Sequence, residues 1–270
     1  MVEFAGISEP SGDRFPMGVP SSICFACGRT ARRPVRSGRK KNPPSACWGD
    51  SYRRHRRNLI VSAQAAEQFL LDTGAPNSFG RVSSVELEGT RFSFPQSYMG
   101  LTAAVLSTYV GCETAGILGG DILNQFGLLI DVPQGQVSFS KAPLECAGEA
   151  LNLEDFMGIP ILKATIGRES SRMFFDTGAQ ISYFQGESLT SFPGEGAVTD
   201  FFPGMGPFST DTFRVPIQLG STRHDLHCGQ LPGLLAMTLM MASTEGIIGN
   251  EVLRDRVVGY FPRRQRLVFS

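Results

Sequence analysis

Two copies of one pattern, 104 residues apart, restrict this chain more than any other feature it carries. Asp72-Thr73-Gly74-Ala75 follows the apolar run Phe69-Leu70-Leu71, and Asp176-Thr177-Gly178-Ala179 follows Met173-Phe174-Phe175. A serine stands six residues after each aspartate, at Ser78 and Ser182. Downstream, Gly116-Ile117-Leu118-Gly119-Gly120-Asp121-Ile122-Leu123 matches Gly246-Ile247-Ile248-Gly249-Asn250-Glu251-Val252-Leu253. The match runs on without a gap to Val137-Ser138-Phe139-Ser140 and Leu267-Val268-Phe269-Ser270. Apolar stretches of helical length, Leu101 to Tyr109 and Leu234 to Ala242, precede the two Gly-Ile blocks. Each half therefore reads strand, acidic turn, strands, short helix, Gly-Ile block, helix and terminal strand pair, which is the order of a duplicated domain.

The residue types suggest what the repeat is for. A carboxylate at the end of a buried strand is costly unless something pairs with it or uses it. Two of them in matching sequences suggest a pair that meets across a two-fold-like interface, shares one proton and activates a water. Gly74 and Gly178 let the backbone turn sharply and let another chain come close. Thr73 and Thr177 are placed to hydrogen-bond across to the opposite loop. Asp121 and Glu251 are expected at the first turn of the following helices, where a negative charge is favourable.

These residues resemble the aspartic proteases, in particular the retropepsin-like branch whose motif is Asp-Thr-Gly-Ala followed by an Ile-Leu-Gly block. The resemblance covers residues 58 to 270, both halves included. It implies an all-β fold with short helices, built as two pseudo-symmetric lobes on one chain in the pepsin-like manner. It also implies an endopeptidase with Asp72 and Asp176 as the dyad, and Thr73, Gly74, Thr177 and Gly178 as the supporting loops. No metal or organic cofactor is implied, the partner is a peptide or protein substrate, and an intramolecular dyad needs only a monomer. Pepsin-like enzymes usually carry a hydroxyl residue after the glycine, which can bond to the catalytic carboxylate. Ala75 and Ala179 remove that donor from both halves, and losing a hydrogen bond to the charged form raises a carboxyl pKa. The expected activity optimum is therefore mildly acidic to neutral.

The halves are unequal. From aspartate to Gly-Ile block the first half spans 44 residues and the second spans 70. A substrate-covering flap belongs between these landmarks, and the first half looks too short for a full one. The second half offers Val198 to Gly220, in which Phe202-Pro203-Gly204-Met205-Gly206 is the candidate tip between two strand-like runs. An ordinary surface hairpin with locally packed phenylalanines is the competing reading. Tyr98 is expected to be a loop or packing residue, since Met99-Gly100 leads into the helix-like run from Leu101.

Residues 1 to 57 hold 12 Lys and Arg against 4 Asp and Glu, leaving the rest at 13 against 21. That basic, Pro- and Ser-rich segment lacks apolar periodicity and is expected to be disordered. It also fits a transit peptide, a basic propeptide docked over the acidic cleft, or a nucleic-acid arm, although no nucleic acid is expected on the lobes themselves. Cys24, Cys27, Cys47 and His55 do not have a known zinc spacing. Met17-Gly18-Val19-Pro20-Ser21-Ser22 fits a myristoylation pattern only if translation starts at Met17. His224, Asp225, His227 and Cys228 invite a metal, but a polar loop accounts for them. Six cysteines without an apolar secretory region point to reduced thiols and an intracellular site, cytoplasmic or in a plastid or mitochondrion. Leu231 to Ala242 is too short to span a bilayer and reads as a core helix. Two other functions fit the same residues: a peptide-binding protein of this fold that does not cleave, and a protease that processes only its own N-terminal segment.

Overall fold

The computed structural model describes residues 21–24, 60–62 and 67–270. The chain is mainly β, with sheets of largely antiparallel strands and short helices. The repeat seen in sequence is repeated in strand pairing. In the first half Gln68–Leu71 runs parallel to Gly116–Leu118, with Phe69 opposite Gly116, and Phe79–Gly80 lies antiparallel on the other side. In the second half Glu169–Phe175 runs parallel to Gly246–Ile248, with Met173 opposite Gly246, and Ser182–Phe184 lies antiparallel on the other side. All three residues of Gly116–Leu118 are buried, as expected for apolar strands covered on both faces.

The two halves meet in a six-stranded antiparallel sheet. Its order is Ser21–Cys24, Gln136–Ser140, Gly127–Asp131, Val257–Phe261, Arg266–Phe269, Glu149–Asn152. At its centre Leu128 faces Tyr260 and Ile130 faces Val258 across the join between halves. Phe69, Phe126 and Phe139 from one half and Phe175, Tyr260 and Phe269 from the other belong to a single buried cluster. Each such side chain contributes about 1.5–3 kcal/mol when fully buried. The lobes expected at 58–148 and 149–270 are thus distinct in their outer sheets but share one sheet and one core.

Several expectations need correction. Within the segment 1–57, expected to be unstructured, Ser21–Cys24 is a strand in register with Phe139 to Gln136. Cys27, Cys47 and His55, and the rest of that segment, lie outside the described residues. Helix α1 spans Ala103–Val110, α2 Gly120–Leu123 and α3 Gly233–Met241. Leu101–Thr102 is a strand that pairs with Ser97–Tyr98 around Met99-Gly100, so the first half has a small hairpin of its own. Both turn residues have positive φ, which suits the twist of a two-residue hairpin. Helix α3 buries Leu235, Leu239 and the following Ala242, but Met237, Met240 and Met241 are exposed, so only one face belongs to the core. Thr222–Gly229 is a strand rather than a polar loop, and it turns His224, Leu226 and Cys228 inward in alternation. Among the described residues no helix is long and apolar enough to cross a membrane.

Candidate active site

Each aspartate is delivered by the end of a buried strand. The Asp72 N–H donates to Leu118 O at 3.0 Å, and the Asp176 N–H donates to Ile248 O at 2.9 Å. The chain then turns so that its next amides point back at the carboxylate. Asp72 Oδ1 accepts from Gly74 N at 3.0 Å and Ala75 N at 2.9 Å. Asp176 Oδ1 accepts from Gly178 N at 2.8 Å and Ala179 N at 3.2 Å. Gly74 and Gly178 are required by the approach of the two loops. A Cβ on Gly74 would collide with the Asp176 carboxyl group, and one on Gly178 would collide with that of Asp72.

The threonines lock the loops to each other. The Thr73 hydroxyl donates to Phe175 O at 2.7 Å and accepts from Thr177 N at 3.0 Å. The Thr177 hydroxyl donates to Leu71 O at 2.8 Å and accepts from Thr73 N at 3.1 Å. Both side chains are buried, so four otherwise unpaired groups satisfy one another across the two-fold-like axis.

The two carboxyl groups are hydrogen-bonded to each other. Burial, the neighbouring Asp176 charge and the bond to Asp176 raise the Asp72 pKa well above its ordinary value. Burial raises Asp176 as well, but the Gly178 amide, the Asp72 carboxyl and the Ala179 amide work against it. Both carboxyls are thus held above their ordinary values, Asp72 the more strongly, in a pair whose two titrations are coupled. Two carboxyls that share a proton can offer a hydrogen-bond donor and a base side by side.

A second layer holds the loops. The Ser78 hydroxyl donates to Asp121 Oδ1 at 2.5 Å and accepts from Gly119 N at 2.8 Å. Its counterpart Ser182 accepts from Gly249 N at 3.0 Å. Asp121 also accepts from Ile122 N at 3.0 Å, as expected at a helix start. Glu251 departs from that simple reading. Its carboxylate accepts from His227 N at 2.8 Å, contacts His227 Nδ1 at 2.9 Å and pairs with Arg254 at 2.9 Å. Burial opposes its charge, yet His227 and Arg254 hold its pKa below the ordinary value. Asn250 Nδ2 donates to Thr177 O at 3.1 Å and so ties that helical turn to the Asp176 loop.

The candidate flap is a long hairpin formed by Gly194–Phe202 and Gly206–Leu219, starting earlier than Val198. Its partner Thr222–Gly229 pairs only as far as Phe213, so among the described residues the ribbon beyond that point is an arm without a third strand. The arm crosses to the first half. Phe201 stacks on Tyr109 of α1 with ring centroids 4.4 Å apart, and Gly204 lies against Met99 at the tip of the small first-half hairpin. The phenylalanines therefore do not pack only locally. Tyr98 is half-buried and packs against the same first-half cluster as Phe201. On the arm, Asp200 accepts a hydrogen bond from the Tyr183 hydroxyl at 2.5 Å and is near enough to Asp176 for their charges to repel. Tyr109, Tyr183 and Asp200 were not singled out by sequence, because no spacing rule joins residues from a helix, a strand and an arm.

His224, Asp225, His227 and Cys228 do not converge. Among the described residues no group of three or more His, Cys, Asp or Glu side chains is placed to hold a metal. Among the described residues Cys112, Cys146 and Cys228 form no disulfide. No model of a known protein family matches this chain, and neither does any curated protein.

Proposed function

We propose that the protein is an aspartic endopeptidase that hydrolyses peptide bonds with a water activated by Asp72 and Asp176. The observation that carries this reading is the meeting of two buried carboxyl groups, both raised in pKa, on matching loops locked together by Thr73 and Thr177. Asp176, ionised, takes a proton from a water as its oxygen attacks the peptide carbonyl carbon. Asp72 gives its proton to the carbonyl oxygen, so no full charge builds up on the tetrahedral intermediate. Collapse breaks the C–N bond as a proton passes to the leaving amine and the dyad regains its single proton. The Thr73 and Thr177 bonds keep the two carboxyls within hydrogen-bonding reach, which is the positioning that such chemistry requires. The arm tipped by Phe202, Pro203, Gly204, Met205 and Gly206 serves as the lid, and it comes from the second half.

The test is peptide hydrolysis by the full chain, with Asp72→Asn and Asp176→Asn as controls and pepstatin as probe. The expected outcome is cleavage by the wild type, inhibition by pepstatin and a loss of at least about 10³-fold in kcat/KM for each variant. Equal cleavage by all three proteins would remove the dyad assignment. Peptide binding without cleavage from pH 3 to 8 would favour the binding-protein reading, for which the bridging of the arm to the opposite half is the favouring observation.

A further inference from the structure

Among the described residues the arm is a two-stranded ribbon past Phe213, and a ribbon of that kind standing alone is marginally stable in water. Its position must therefore be set by side chains. On its own lobe, the buried Tyr183 hydroxyl donates to Asp200 Oδ2 at 2.5 Å, and Asp200 Oδ1 accepts from Phe201 N at 2.8 Å. The Tyr183 ring also lies 6.1 Å from Phe208 on the return strand. Tyr183 follows the Asp176 loop on the strand Ser182–Phe184, which is hydrogen-bonded to Gly246–Ile248 at the base of the site. Phe202 packs into the same second-half cluster as Tyr183, whereas its neighbour Phe201 packs into the first-half cluster. Alternation along the strand thus sends adjacent phenylalanines to opposite lobes.

We propose that Tyr183 and Asp200 are positioning residues that pin the lid arm to the catalytic strand system, and that Phe201 on Tyr109 is the separate latch that releases when the arm opens. This rests on the peptidase reading for its kinetic consequence but not for its mechanics. A charge-assisted hydrogen bond to a buried tyrosine is short and directional, so it fixes where the arm pivots. The latch joins the arm to the other half through a ring stack between partly buried residues, whereas the pin stays within the arm's own half, so opening the arm breaks the first and keeps the second. The pin keeps the Asp200–Phe208 rung, two rungs from the turn, beside the Asp176 strand system while the turn beyond it swings away from Tyr109 and Met99.

The two contacts are separable by experiment on the full chain. Tyr183→Phe removes one oxygen and keeps the ring beside Phe208. Amide exchange is expected to rise about tenfold or more across the whole arm, residues 197–211, with Ile159–Ile166 unchanged. Tyr109→Ala is expected to raise exchange only near the tip, at 201–206. In peptide hydrolysis Tyr183→Phe raises KM more than it lowers kcat, and Asp200→Asn, which keeps an acceptor oxygen, is milder than Asp200→Ala. The double variant Tyr183→Phe/Asp200→Ala is expected to be no worse than the worse single one. Unchanged arm protection in Tyr183→Phe, or additive losses in the double variant, would overturn the pin. Tip protection unchanged in Tyr109→Ala would overturn the latch. A wild type that cleaves no peptide but shows the exchange pattern supports pin and latch while removing the peptidase reading.

Discussion

At the scale of single residues, the site trades stability for charge. The Asp72 pKa is raised on folding, so the native state binds a proton more tightly than the unfolded chain does. That contribution is complete below the unfolded carboxyl value and is lost as pH rises through the native one. Asp72→Asn keeps the hydrogen-bonding partner for Asp176 without the second charge. It is expected to raise Tm at neutral pH, with the gain shrinking as pH falls through the ordinary aspartate range; thermal melts along a pH series check this. His224 has the opposite pH dependence. It is buried against Phe269, its Nε2 has no hydrogen-bond partner, and burial followed by the Arg256 charge lowers its pKa to about 4 from 6.5. Its neutral form is favoured by the fold, so this stability is present above pH 6.5 and is lost as pH falls toward 4. His224→Leu should flatten urea-measured stability across that window, by roughly 2 kcal/mol between its ends. The aspartates were legible in the sequence because an acid at a strand end demands an explanation. His224 was not, since only the strand register decides which way its ring points.

At the scale of elements, the repeated blocks were readable because their spacing is local. Leu70 and Phe174, Ile117 and Ile247 occupy matching strands in each half, as the matched order of the blocks predicts. The turn residues of the arm were readable for the same reason. Gly204 and Gly206 have φ of +83° and +88°, a region that side-chain-bearing residues enter at a cost. Gly204→Ala is expected to destabilise the tip by about 1 kcal/mol while leaving the global Tm nearly unchanged. The check is faster nicking of the arm by thermolysin near Phe201 and Phe202. What local sequence does not specify is the direction in which a hairpin leans. The arm begins at Gly194, four residues before the turn-based estimate, and its Phe-Phe pair separates to two different clusters. Strand alternation predicts the separation, but the surfaces that receive each ring are contributed by α1 and by Ser182–Phe184, far away in the chain.

At the scale of the whole molecule, the halves are joined by the central pairing of Gly127–Asp131 with Val257–Phe261 and by a buried cluster to which both contribute. A molecule built this way should unfold as a unit. Thermal unfolding followed by near-ultraviolet and far-ultraviolet circular dichroism is expected to give one coincident transition; two resolved transitions would mean that the lobes are energetically independent. The sequence alone determined the duplication, the mainly β class and the two acids, because each depends on residue types at short, repeated spacings. It also determined that glycine must follow each Asp-Thr. Only the tertiary structure decided that the glycines make room for the opposite carboxyl group, that the two acids are buried together with raised pKa values, and that the arm of one half is seated on the helix of the other. Those outcomes depend on atoms brought together from positions about a hundred residues apart, where burial and close approach set the energies and no local pattern records them.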